Sequence, residues 1–283
     1  MHLQRDLKEG LTRLVSRARN DLLVCSPFVG RTGADLVALN LTGAFRKSGH
    51  LSLITDLSPL NVCQSSTDPA ALEALSNSVR HTTFRHLPRL HAKVYVADEQ
   101  VAIVTSANLT AGGLFRNYEY GIELSDCTLV RRMRKDILEY AELGAVVGRL
   151  ELKAYCSAAI RLRGAFERNR RSVSADLQKE FKEKIRTVAD DLIRLRLGEG
   201  ALHTVFGKTI QYLLRRYGPM TTRRLHPLVA SIHPDLCDDT VDRIIDGKRF
   251  GKKWKHAVRT AQQDLKKKGI IEFDGREWRT RSQ

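Results

Sequence analysis

The stretch LHAKVYVADEQVAIVTSANLT, residues 90–110, decides how this chain is read. Two apolar segments, KVYVAD and VAIVTSAN, flank Glu99-Gln100, and their β-branched composition predicts a pair of strands. Polar residues stand at the ends of both. His91 and Lys93 are two apart, so on a strand both side chains leave the same face, and Ser106 and Asn108 repeat that spacing on the neighbour. Histidine supplies a nucleophile or proton carrier near neutral pH, lysine a positive charge, and serine and asparagine hydrogen-bond donors. The set suits a phosphoryl group. Any one of these residues alone is most often structural on a strand; their joint placement carries the argument.

Around this hairpin the first 150 residues alternate between strand-like and helix-like segments. DLLVCSPFV (21–29) and HLSLITD (50–56) read as strands on either side of the helical ADLVALNLTGAFRKSG. A helix is predicted at 69–80, with Asp68 as N-cap and Pro69 in the first turn, and YEYGIEL (118–124) as a further strand. Such alternation predicts an α/β fold with helices layered on a central sheet.

The spacing H-x-K-x(4)-D-x(7)-S-x-N, carried by His91, Lys93, Asp98, Ser106 and Asn108, resembles the HKD signature of the phospholipase D superfamily. The downstream NYEYGIEL resembles the segment in which that family places an acidic residue supporting the catalytic histidine, and Glu119 matches it. Thr105 stands where the family usually has glycine. The likeness spans about residues 20–125 and implies a phospholipase D-like α/β/α sandwich with His91, Lys93, Ser106, Asn108 and Glu119 as catalytic residues and Asp98 in support. It also implies a phosphodiester reaction in two steps through a covalent phosphohistidine, with no metal and no cofactor. Two histidines are required, yet no other histidine here has a lysine two residues on. The second motif is therefore expected from a second copy of the chain, in a two-fold homodimer sharing one site.

The remainder of the chain differs in charge. Residues 1–150 hold 18 Lys and Arg against 15 Asp and Glu, a net +3, leaving +13 of the total +16 for residues 151–283. A polyanion is the expected partner, because a basic surface gains affinity by releasing counterions from phosphates. Residues 128–197 read as helix almost throughout, with an apolar stripe at Leu177, Phe181, Ile185, Val188, Leu192 and Leu195. LGEGA (197–201) marks a helix stop. Helices follow at 203–218, 222–232 and 237–246, then KKWKHAVRTAQQDLKKKG (252–269), and IIEFDGREWRT with a type I′ turn at Asp274-Gly275. This order resembles the winged-helix modules attached to some restriction enzymes.

The expected domains are thus 1–150, catalytic and dimerising; 151–200, a helical linker; and 201–283, a winged-helix DNA-binding domain. Trp254, Val258, Ala261 and Leu265 define the inward face of the last helix. Its outward residues Lys252, Lys253, Lys255, Arg259, Gln262, Gln263 and Lys266, with Arg276 and Arg279 on the wing, are the expected DNA contacts.

Five scattered cysteines without a C-x-x-C pair predict neither disulfides nor a zinc site. No apolar run approaches the roughly 20 residues needed to cross a bilayer, and a charged N-terminus is unlike a signal peptide, so a cytoplasmic protein without a membrane partner is expected. The whole points to a metal-independent DNA endonuclease, with restriction or defence as the analogous role. Two alternatives stay open: a phospholipase or phosphatidyl transferase, and a DNA-binding regulator with a non-catalytic HKD scaffold.

Overall fold

The hairpin at 90–110 lies inside an eight-stranded sheet. The computed structural model describes residues 2–4, 6–170, 175–197 and 201–281. Its first eight strands are β1 (His2–Gln4), β2 (Asp21–Cys25), β3 (His50–Thr55), β4 (His81–His86), β5 (Val94–Ala97), β6 (Val101–Thr105), β7 (Gly121–Leu124) and β8 (Ala145–Val147). They run in the order β1-β7-β6-β5-β2-β3-β4-β8. β2, β3 and β4 are parallel, with Leu23 opposite Ser52 and Leu53 opposite Phe84. The hairpin β5–β6 joins β2 antiparallel, with Val96 opposite Leu23.

Parallel neighbours need crossover connections, and the sequence supplies helices for them. α1 (Leu7–Arg17) precedes β2; α2 (Arg31–Asn40) and α3 (Gly43–Ser48) join β2 to β3; α4 (Pro59–Cys63) and α5 (Pro69–Ser78) join β3 to β4. Asp68 caps α5 as expected, accepting the Ala70 N–H at 3.0 Å. Leu22, Leu23, Val24 and Cys25 are consecutive and all fully buried, as are Leu51 and Leu53. Successive strand residues point to opposite faces, so both faces of the sheet centre are covered by helices. The fold is α/β, as expected.

The helical reading of 128–197 holds for most of the segment, with one strand interrupting it. After α6 (Cys127–Ala141) the chain turns through Gly144 into β8, which pairs with the edge strand β4, Val146 opposite Arg85. A Cβ on Gly144 would lie 2.2 Å from the His86 carbonyl oxygen, so a side chain there would force the strand away. α7 (Arg149–Arg170) then packs on the first unit: Tyr155 donates to the Leu57 carbonyl at 2.6 Å, and the Cys156 thiol lies 3.0 Å from the Pro69 carbonyl. α8 spans Ala175–Leu197. Of its stripe, Val188 and Leu192 are buried and Ile185 and Leu195 partly so; the side chains of Leu177 and Phe181 lie outside the described residues.

The chain divides into two units, 1–192 and 193–283. The second contains α9 (Leu202–Tyr217), α10 (Thr222–Ile232), β9 (Asp242–Ile245), β10 (Lys248–Lys252), α11 (Lys253–Lys267), β11 (Ile271–Phe273) and β12 (Trp278–Thr280). Its core is built from Phe206, Ile210, Leu213, Leu225, Val229, Trp254, Val258, Leu265 and Trp278. Two local expectations fail here. The helix expected at 237–246 gives way to the β9–β10 hairpin, because Asp246 (φ 48°) and Gly247 (φ 74°) form a turn that reverses the chain. The expected type I′ turn at Asp274-Gly275 is instead a four-residue loop between the paired Phe273 and Trp278, in which the Asp274 carboxylate accepts the N–H groups of Arg276 (2.9 Å) and Glu277 (2.8 Å). Among the described residues no helix is long and apolar enough to cross a membrane.

Candidate active site

β5 begins at Val94 and β6 ends at Thr105, so the polar motif lies just beyond the open end of the hairpin. The Thr105 N–H donates to the Lys93 carbonyl at 3.1 Å, which sets the two halves of the motif side by side. His91 and Lys93 do not share a strand face as the spacing predicts. His91 precedes the strand and is exposed, whereas Lys93 is buried and its ammonium donates to the His91 carbonyl at 2.8 Å. Burial pushes the Lys93 pKa down, and the negative charge of Glu119 pulls it partly back. Glu119 is therefore electrostatically coupled to the buried lysine.

The family resemblance casts Glu119 as the acidic support of His91. Glu119 accepts instead from the Ser106 hydroxyl and from the Asn117 amide, the latter at 3.1 Å. Ser106 also receives the Tyr120 N–H at 3.2 Å, so the approach to β7 holds it from two sides. Thr105, in the place of the usual glycine, uses its hydroxyl to donate to the Tyr120 carbonyl (2.8 Å) and accept the Ala107 N–H (3.1 Å). The substitution closes the same turn with a side chain.

Asn108 is half-buried and its Oδ1 is buried without a hydrogen-bond partner. A buried amide oxygen left unsatisfied can accept from a donor on a ligand. Residues that the motif does not include fix its position. The fully buried Ser26 accepts the Leu109 N–H at 3.0 Å and donates to the Phe28 carbonyl at 2.8 Å, and the Gly30 N–H reaches the Leu109 carbonyl at 2.9 Å. A Cβ on Gly113 would stand 2.3 Å from the Asn108 carbonyl oxygen. Sequence reasoning passed over Ser26 and Gly113, though a lone serine ending the apolar run DLLVC was a visible signal.

Asp98 sits at the opposite, closed end of the hairpin. It accepts the N–H groups of Arg19, Asn20 and Asp21 at 2.6, 2.7 and 2.9 Å, from a turn in which Asp98 and Glu99 both adopt positive φ. Its task is to clamp the hairpin to β2. Among the described residues no group of three His, Cys, Asp or Glu side chains is arranged to hold a metal ion.

In the second unit Lys253, Arg259, Gln263, Lys266 and Arg276 are exposed. Lys255 is half-buried, its ammonium 5.3 Å from the Trp254 ring centroid. Lys252 ends β10 rather than standing on α11, with its ammonium 2.9 Å from Asp242, and Arg279 is bonded to Asp274. Gln262 is a correction: it is 1% exposed and its amide donates to the Thr222 hydroxyl at 3.1 Å. It lies one turn beyond Val258 and two beyond Trp254, so helical geometry places it on the buried stripe.

A family model described as cardiolipin synthase, PLD-like domain, matches residues 11–140. No curated protein matches the chain. Among solved structures, Nuc of Salmonella typhimurium, a phospholipase D family member, is similar at 15% identity and a TM-score of 0.43, over 51% of this chain and 97% of that one. NucT of Helicobacter pylori is similar at 17% identity and a TM-score of 0.41, over 50% and 96%. TrmBL2, described as an archaeal chromatin protein with a novel mode of DNA binding, is similar at 15% identity and a TM-score of 0.34, over 50% and 52%. Residues 11–140 thus match a PLD-like domain, and within them the H-x-K and S-x-N elements are brought together at one end of β5 and β6.

Proposed function

We propose that the protein is a phosphodiesterase that cleaves DNA at a dimeric active site, without a metal. The observation that carries the reading is the convergence of Lys93, Ser106 and Glu119 beside an exposed His91, with Asn108 two residues beyond Ser106, once per chain. The His91 imidazole of one copy attacks phosphorus, the phosphorus–oxygen bond to the leaving group breaks, and the imidazole of the other copy gives its proton to the departing oxygen. Water then attacks the phosphohistidine, deprotonated by that second imidazole, and the phosphorus–nitrogen bond breaks to restore His91. Lys93 and Asn108 face the negative charge that builds on the phosphoryl oxygens.

Two further features support the dimer and the substrate. Tyr118 and Tyr120 flank Glu119 and are exposed, as are Phe115 and Val104 nearby, an apolar rim of the kind an interface between copies would cover. The excess charge of +13 beyond residue 150, with exposed Lys253, Arg259, Gln263, Lys266 and Arg276 in the second unit, fits a winged-helix DNA reader in which α11 enters the major groove. Restriction or defence is the role that this pairing of parts favours.

The test is cleavage of plasmid DNA in excess EDTA, with the oligomeric state measured alongside. Cutting by a dimer, abolished in His91→Ala, is the expected result. Cutting that survives His91→Ala, or full activity in a stable monomer, overturns it. Binding without cutting would establish a regulator, and turnover of anionic phospholipid with indifference to DNA would establish the lipid enzyme that the family model's description brings to mind.

A further inference from the structure

The β9–β10 hairpin, VDRIIDGKRFGKK (241–253), is an element that the expected winged helix does not contain. It stands immediately before α11. Its base is firmly built: the Lys253 N–H donates to the Val241 carbonyl at 3.0 Å, the Trp254 indole N–H donates to Asp239 at 2.9 Å, and Lys252 pairs with Asp242 at 2.9 Å. His256 of α11 bonds the Phe250 carbonyl and lies 3.2 Å from the Arg243 guanidinium. Toward the tip the side-chain contacts thin to one long pair, Arg249 Nε with Asp242 at 3.7 Å. Ile244, Ile245 and Phe250 are 62%, 40% and 49% exposed, and the Arg249 side chain is 79% exposed.

A two-stranded ribbon buries too little to be stable by itself, and three large apolar side chains left in water gain it nothing. Such a ribbon is shaped for a partner. Its charge selects which one. Arg243, Lys248, Arg249 and Lys252, followed by Lys253, outnumber Asp242 and Asp246, and Asp242 is shared between Lys252 at 2.9 Å and the largely exposed Arg249 at 3.7 Å. The register sets Lys248 opposite Ile245 and Arg249 opposite Ile244, so each face of the ribbon carries a cation beside an isoleucine. Cations to hold phosphates and β-branched side chains to press on sugars and base edges form the surface of a ribbon that enters a DNA groove.

We infer that the β9–β10 hairpin is a second DNA-contacting element, in which Lys248 and Arg249 hold backbone phosphates while Ile244, Ile245 and Phe250 seat in a groove next to the one entered by α11. The inference rests on the proposal that the second unit binds DNA.

The experiment measures binding of the full-length protein to a duplex across a salt series. Lys248→Ala/Arg249→Ala should weaken binding about tenfold at 0.1 M salt and reduce the slope of log K against log salt by roughly 2, one phosphate contact for each cation. Ile244→Ser/Ile245→Ser should weaken binding with the slope unchanged. Both pairs are exposed, so circular dichroism and melting should match the parent, and a variant that misfolds is replaced by the charge-reversed Lys248→Glu. If the parent binds DNA and all these variants bind with its affinity and slope, the hairpin inference falls alone. If they lose self-association instead of DNA affinity, it falls in favour of an interface between copies. If the parent itself does not bind DNA while Arg259→Ala is equally inert, the DNA reading of the second unit falls with it.

Discussion

The Ser106 hydroxyl donates to the Glu119 carboxylate, tying the end of β6 to the segment that enters β7. The carboxylate is thus held by Ser106 and Asn117 rather than by His91, and its charge raises the pKa of the buried Lys93 and helps to keep that ammonium charged. Glu119→Gln removes the charge and keeps the shape. The Lys93 pKa, already lowered by burial, then falls further, and the ammonium is lost at a lower pH. The expected result is a kcat lower by about 10²-fold, the cost of losing one well-placed electrostatic group, with the alkaline limb of the pH–rate profile displaced to lower pH. An unmoved alkaline limb would show that Glu119 does not act through Lys93.

Asp98 belongs to the motif by spacing and to the scaffold by contact. Its carboxylate takes three consecutive backbone N–H groups, those of Arg19, Asn20 and Asp21, at the end of the hairpin away from His91. Asp98→Ala leaves those donors without their acceptor, a loss of about 2 to 3 kcal/mol. The melting temperature should drop, while kcat measured well below it stays close to that of the parent. A large fall in kcat at unchanged stability would place Asp98 in the chemistry instead.

Gln262 and Gln263 are neighbours with opposite fates, and the pair separates core from surface on α11. Gln262 is buried against Thr222, which also accepts the Trp278 indole N–H at 3.0 Å, so Gln262→Ala orphans a buried polar group and should cost about 1 to 3 kcal/mol. Gln263 is exposed, and Gln263→Ala should leave denaturant unfolding untouched while lowering affinity for duplex DNA. Equal stability in both variants would contradict the buried network.

The motif-bearing half was legible because its pattern is local. Four polar residues at two-residue spacings around a β-branched hairpin need no tertiary information to be noticed, and Pro69 after Asp68 announces its helix in the same way. What escaped depends on contacts distant in sequence. Ser26 meets Leu109 across 83 positions, and β8 exists because Gly144 lets the chain approach His86 on a strand edge that no local pattern reveals. The hairpin at 242–252 is a different case, since Asp246-Gly247 is a local turn signal. The helix expected over 237–246 passes over it, whereas at the same dipeptide, 274–275, the expected type I′ turn is built another way, by the Asp side chain.

A buried histidine gives the second unit a pH dependence. The His233 imidazole is fully buried: Arg196 donates to its Nδ1, and its Nε2–H donates to the Thr209 hydroxyl at 2.6 Å, which passes its own proton to the Val205 carbonyl at 3.2 Å. Arg196 also holds Asp235. Burial, with the Arg196 charge added, lowers the His233 pKa to about 3. The unfolded chain takes up a proton at about pH 6.5, so between pH 6.5 and about 3 it binds more protons than the folded one. Stability is therefore complete above about pH 6.5 and declines on acidification, by roughly 1 kcal/mol for each pH unit below 6. Trp254 and Trp278 are the only tryptophans and both lie in the core of this unit, so their fluorescence in urea reads its unfolding directly. The free energy should fall steeply from pH 6.5 to 4 in the parent and more gently in His233→Gln, which keeps a neutral side chain at every pH; equal slopes would mean that other groups set the acid limit.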